Sequence, residues 1–196
     1  MDLTFDIFQG IGVAAAVGVR PFLPALATGA LAAGDVELSY KHTDFSFLQK
    51  PVFLLIMVLG VVLVGGIERR LAGRTEEPRW LTYGLAAISL ALGALFFGGE
   101  LARNHDAVVI GIVAGVLCAA VGVLATKPLL ARVRARLDAE AVGALPLIVE
   151  AAATLGAVLS IVAPPVGVIV LLGLLWLMIA GRGRQQHKYA GLRILR

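Results

Sequence analysis

Charge is scarce in this chain. Asp, Glu, Lys and Arg make up 15% of its 196 residues, against about 25% in an ordinary soluble domain. Cysteine is scarcer still. Cys118 alone excludes an intramolecular disulfide, and its place inside an apolar run marks it as a small packing residue. Histidine is missing from every long apolar run, because His42, His105 and His187 fall between or after them. That excludes axial haem ligation and a His-based metal motif at membrane depth. No Ser–His pair and no paired carboxylates lie within a run either, so the reagents of an intramembrane enzyme are missing. The sequence implies no enzyme, no cofactor and no metal. Basic residues are absent from the opening "MDLTFD", which is therefore not the start of a signal peptide. The first apolar segment is expected to stay in the mature protein. Nor do the apolar runs alternate as barrel strands do.

What the chain has instead is long apolar blocks. Hydrophobic residues make up 59% of it, and its mean hydropathy is +0.92. Residues 52–67, 80–98, 107–126, 142–163 and 166–181 are each long enough, or nearly so, to cross a hydrocarbon core of about 30 Å. The pattern predicts an all-α fold: a polytopic transmembrane helix bundle forming one integral membrane domain over 1–196. It has about five full spans, a broken first segment at 7–33 and a basic tail at 182–196. "PALATGALAAG" and "PLIVEAAATLG" echo one another weakly, as the halves of an internal repeat would.

All but four of the 17 basic residues, the exceptions being Arg20, Lys41, Lys50 and Arg103, gather in two loops and the tail. The positive-inside rule puts those loops and the C-terminus in the cytoplasm of a bacterial inner membrane. The net charge of +4 is then a membrane-edge signal rather than a nucleic-acid one. Trp80 and Tyr83 suit an interfacial anchor. Over 128–141, Leu129, Leu130, Val133 and Leu137 share a helical face that Arg132, Arg136, Asp138 and Glu140 avoid. This predicts an amphipathic helix lying on the inner surface, either a plain connector or a lipid sensor. "GELARNHD" places Glu100, His105 and Asp106 in an outer loop. It reads as a solvated loop, with a metal site as the lesser alternative.

The first block carries the sharpest signal. In "GIGVAAAVGVRPFLPALATGALAAG" a charge, Arg20, precedes Pro21 and Pro24 at mid-segment. As one kinked helix, the block would hold Arg20 near the bilayer centre at a cost of several kcal/mol. As two half-helices it folds back on itself, with Pro21 in the first turn of the second half. The uncharged-to-acidic N-terminus favours the fold-back layout, with both ends outside. The freed helix N-terminus and the guanidinium would then converge, and both attract anions. The second deep charge is Glu150. It reads as a structural partner of Arg20 or as a protonatable carboxylate. The candidate site is Arg20, Pro21, Pro24, Thr28 and Glu150. Gly10, Ala14 and Gly18, like Gly111, Gly115 and Ala119, recur at a spacing that allows close helix packing.

With its "GVRPFLPAL" core, and more loosely over "FSFLQKPVFLL" and the Pro-rich last blocks, the chain resembles a family of bacterial integral membrane proteins, also found in plants, catalogued only as domain of unknown function 4126. That resemblance implies a membrane location and no established activity. Two functions stay open. One is a small channel or transporter for an anionic or lipid-like solute with its site at the Arg20–Pro21 break. The other is a structural or assembly membrane protein in which Arg20 and Glu150 form a buried ion pair. Expected partners are membrane lipids, an anionic small solute and further copies of the chain in a homo-oligomer, with no nucleic acid.

Overall fold

The computed structural model describes residues 3–71, 78–103, 107–134, 136–137 and 139–190. Its elements are helices α1 (Leu3–Val19), α2 (Phe22–Ala33), α3 (Pro51–Leu71), α4 (Arg79–Ala102), α5 (Val108–Arg134), α6 (Ala139–Val162) and α7 (Pro165–Ala190), with a short 3-10 turn at Ser46–Gln49 before α3. No strand occurs among the described residues. The helices α3, α4, α5 and α6 are long and apolar enough to cross a membrane. Among the described residues these four reach spanning length, and the apolar stretch Pro165–Ala180 of α7 is shorter.

α1 is the axle of the bundle. Val13 to Val17 have no exposed surface, and α4, α5, α6 and α7 all pack on this helix. Small residues allow that crowding. A Cβ on Gly122 of α5 would stand 2.5 Å from the carbonyl oxygen of Ala15, and one on Gly93 of α4 would stand 2.9 Å from that of Gly115. Backbones therefore touch where larger side chains would hold them apart. α3 is the opposite case: it packs mainly on α2 and the 3-10 turn, and leaves Val52, Leu55, Val62 and Leu63 exposed.

The helix break falls at Arg20–Pro21. The amide of Arg20 still donates to Ala16 O at 3.1 Å, but Pro21 has no N–H with which to continue the ladder. α1 and α2 then part as the arms of a V, with α6 against both. Both arms point to the same end of the bundle. Asp6, near the start of α1, comes within electrostatic reach of Glu100 on α4. The loop following α2 reaches the same residue through the Tyr40 hydroxyl. That end is here called the Tyr40 end. The other, where α3 stops and α4 starts, carries Arg69, Arg70, Arg79 and Arg134 and is called the basic end.

The separate surface helix expected over 128–141 is absent. α5 runs on through Pro128 to Arg134, a turn follows at 136–137, and α6 begins at Ala139. A proline inside a helix removes one backbone bond, yet α5 continues past it, and Leu130 and Arg134 line a cavity shared with α1 and α4. Arg132 Nε also donates to Pro128 O at 2.9 Å, fastening the turn after the proline. The expected amphipathic face was real as a pattern, but it marks the end of a long bundle helix.

Candidate functional site

Three charged side chains converge where α1 gives way to α2. Pro21 offers α2 no side-chain cap, so the first N–H groups of that helix need an outside partner. Glu150 of α6 supplies one, its carboxylate facing the backbone N–H of Leu23. A negative charge belongs at that position, against the positive pole of the helix dipole. Arg20 turns toward the basic end, and its Nη1 lies 2.5 Å from Glu68 Oε1 of α3. The two side chains are only 8% and 11% exposed. The Nε of Arg20 is also buried and has no hydrogen-bond partner among the described residues.

This corrects the expected pairing. Glu150 is near enough to Arg20 to interact electrostatically, but the ion pair is Arg20–Glu68. The second apolar block was bounded at residue 67, whereas α3 continues to Leu71 and carries Glu68 alongside the break. The long Arg20 side chain reaches away from the apolar middle toward it, as a snorkelling arginine does. The signal was present, since no Gly or Pro separates Ile67 from Leu71. The vacant anion position expected at the break is thus filled by two carboxylates of the chain itself. Pro24 and Thr28, also assigned to the site, are buried within α2. The Thr28 hydroxyl donates to Pro24 O at 2.9 Å, and neither residue lines a cavity next to the break.

Two cavities border the cluster. One, of about 600 Å³, lies between α3 and α6 and is lined by Val61, Gly65, Glu68, Arg134, Pro146 and Glu150, among others. The second, of about 360 Å³, lies between the break, α4 and α5, and is lined by Arg20, Pro21, Glu68, Ser89, Lys127 and Arg134, among others. Glu68 and Arg134 belong to both walls. The Arg20–Glu68 pair therefore stands at the boundary between the two spaces. Lys127 is exposed, its ammonium 5.7 Å from the centre of the Tyr83 ring. Walls that are mostly apolar with a few converging charges are the usual lining of a small-molecule site.

A second polar cluster closes the Tyr40 end, and sequence reasoning missed it. Glu100 does not lie in a solvated loop. α4 extends to Ala102 and buries Glu100 completely. Its Oε1 accepts from Tyr40 Oη at 3.1 Å and its Oε2 accepts from Arg103 Nη1 at 2.8 Å. Asp6 is fully buried nearby, and Gln9 donates to Ile161 O at 3.1 Å. Burial, with the neighbouring Glu100 carboxylate, holds the Tyr40 phenol well above its ordinary pKa, so it stays a donor. The Glu100–Arg103 spacing of three was the one readable sign of this network. His105 and Asp106 lie outside the described residues. Among the described residues, no three His, Cys, Asp or Glu side chains gather as metal ligands. No known family, no curated protein and no solved structure shows significant similarity to this chain.

Proposed function

We propose that this protein is a small membrane-embedded channel or transporter for an anionic or lipid-like solute, working at the basic end of the Arg20–Pro21 break. One observation carries the reading: an ion pair with a buried, partnerless Arg20 Nε stands at the boundary between two cavities whose other walls are largely apolar. Discontinuous helices meeting at a buried charge are how many transporters build a substrate site. In this reading the V of α1 and α2 is re-entrant, entering and leaving from one side of the membrane. Irregular backbone at that depth is sheltered by protein and cavity. The basic end faces the cytoplasm of a bacterial inner membrane, which puts the C-terminus inside. A homo-oligomer covers the exposed α3, and membrane lipids cover what remains. The likeness to domain of unknown function 4126 belongs to the same proposal and adds no activity to it.

A structural or assembly role is the second reading. The observation favouring it is that Glu68 and Glu150 already satisfy Arg20 and the α2 N-terminus. Flux through proteoliposomes separates the two. Purified protein in vesicles should carry a labelled organic anion, and Arg20→Lys should insert normally yet carry it at least tenfold more slowly, because an ammonium lacks the planar fork of guanidinium. Folded wild-type protein that moves no anion would establish the structural role instead.

A further inference from the structure

α3 is fastened to the bundle along its first half and stands off along its second. Gly60 lies so close to the Phe22 ring of α2 that a Cβ there would collide with it. From Val61 to Arg69 the helix instead lines the cavity of about 600 Å³ that separates it from α6. Gly65 and Gly66 of α3 and Gly143 of α6 stand in its walls, and a Cβ on any of the three would meet no atom within 4 Å. At Gly93 and Gly122 glycine lets backbones touch; here it leaves a trough. Val62 and Leu147, in the same walls, are exposed. The cavity is therefore a cleft open along the flank of the bundle.

The chemistry of this cleft changes along its length. Its walls are largely aliphatic, with Val61, Val62, Pro146 and Leu147 among them. Two carboxylates interrupt them, and both are engaged within the chain: Glu68 with Arg20, and Glu150 facing the N–H of Leu23. At the basic end the cleft finishes at Arg69, in the last turn of α3, and at Arg134, in the last turn of α5. Arg134 has an interaction of its own within the chain. Arg69 is exposed, with no hydrogen-bond or ion-pair partner among the described residues. Basic pockets between membrane helices are where anionic lipid headgroups bind.

We propose that the cleft between α3 and α6 binds one anionic phospholipid of the bilayer, with an acyl chain along Gly65, Gly66 and Gly143 and the phosphate on Arg69. The planar fork of a guanidinium meets two phosphate oxygens at once. A hydrocarbon chain in the trough makes the dispersion contacts that the glycines leave unmade, and the volume lies within the about 300–1,000 Å³ of ligand sites. A zwitterionic headgroup would bring an ammonium among Arg69, Arg70 and Arg134; an anionic one does not. This site goes beyond the transport reading. It leaves the second cavity, beside Arg20 and Ser89, to a solute, and it stands or falls on lipid binding rather than on flux.

The test offers the full chain, purified in detergent, equal amounts of dioleoylphosphatidylglycerol and dioleoylphosphatidylcholine, and reads bound lipid by native mass spectrometry. The expected result is one retained phosphatidylglycerol per chain, favoured about fivefold over phosphatidylcholine, the effect of one basic residue near an anionic headgroup. Gly65→Leu and Gly143→Leu place their side chains in open space, so both should fold, and both should abolish that retention. Arg69→Gln should remove the preference between the two lipids. Arg70→Gln, which does not line the cleft, should keep it. Equal retention of both lipids by the wild type overturns the anionic class. Equal effects of Arg69→Gln and Arg70→Gln, or full retention by the folded leucine variants, overturn the site. Displacement of the lipid by millimolar glycerol phosphate assigns the cleft to a soluble phosphate ester, and a lipid-free dimer that Gly65→Leu dissociates assigns it to a second copy; either result overturns the proposal. Retention of phosphatidylglycerol by a protein that carries no solute upholds the lipid site and removes only the transport reading.

Discussion

The two ends of this bundle use the same side chains to opposite effect. At the Tyr40 end a carboxylate, an arginine and a phenol are sealed together. Glu100 has no exposed surface, and each of its oxygens has a partner. At the basic end a carboxylate and an arginine are also paired, but cavities lie on both sides, and a second carboxylate waits nearby. A closed network of this kind fixes one arrangement, because every alternative strands a buried polar group. The Arg20–Glu68 pair is not sealed in this way, because open space borders it and a second carboxylate lies within electrostatic reach. The comparison separates a sealed ion pair from one bordered by cavities, although both are buried.

The sharpest way to break this comparison is Glu100→Leu. It removes the acceptor of the Tyr40 hydroxyl and the carboxylate paired with Arg103, and removing one partner of a buried pair costs about 3–5 kcal/mol. Thermal unfolding in detergent should show the largest drop of the variants described here. A drop smaller than that for Arg20→Gln would reverse the roles of the two ends.

The Arg20–Glu68 pair should be the next most costly to disrupt. Arg20→Gln and Glu68→Gln should each lose about 1.5–3 kcal/mol, the range for hydrogen bonds to charged groups. The double variant should recover much of that loss, with a coupling of about 0.5–3 kcal/mol. Additive losses would mean that Glu150 already serves as the main partner of Arg20.

Tyr40→Phe removes one hydroxyl and should cost about 1 kcal/mol. It also has a pH signature. The folded phenol is held above its ordinary pKa of 10.0 by burial, so its contribution is intact below pH 10 and is lost as pH rises beyond that toward the folded value. Wild type should therefore lose stability above pH 10 more steeply than Tyr40→Phe. Parallel curves would show that the phenol is not held neutral by the fold.

The smallest effect should be that of Glu150→Gln. Its carboxylate favours the α2 N-terminus by about 0.3–1 kcal/mol, and the amide retains part of that interaction. A loss as large as that for Glu68→Gln would make Glu150 a structural partner equal to Glu68.

How much of this was legible depends on the range of the interaction. The all-helical, membrane-type character follows from block length and composition, which are local. Pro21 marks the helix break because a missing N–H acts on its own helix. Misreadings arose where a helix outlasted its apolar stretch. α3 carries Glu68 and α4 carries Glu100 where the sequence reading ended the apolar block, and α5 runs through Pro128, which was read as the start of a separate surface helix. Hydropathy cannot see that an ionic group is inside when its partner comes from another element: Arg20 for Glu68, Tyr40 for Glu100.

The sequence by itself determined that the chain is apolar helices with clustered basic ends, and that the first segment breaks after Arg20, since propensity and hydrophobicity are properties of neighbouring residues. The tertiary structure alone decided which carboxylate Arg20 meets, that Glu150 faces the start of α2, and that Tyr40 locks onto Glu100. Those pairings join residues 48, 127 and 60 positions apart. They exist because backbone contact at small residues such as Gly122 and Gly93 draws the helices close enough for side chains from different segments to share one buried site.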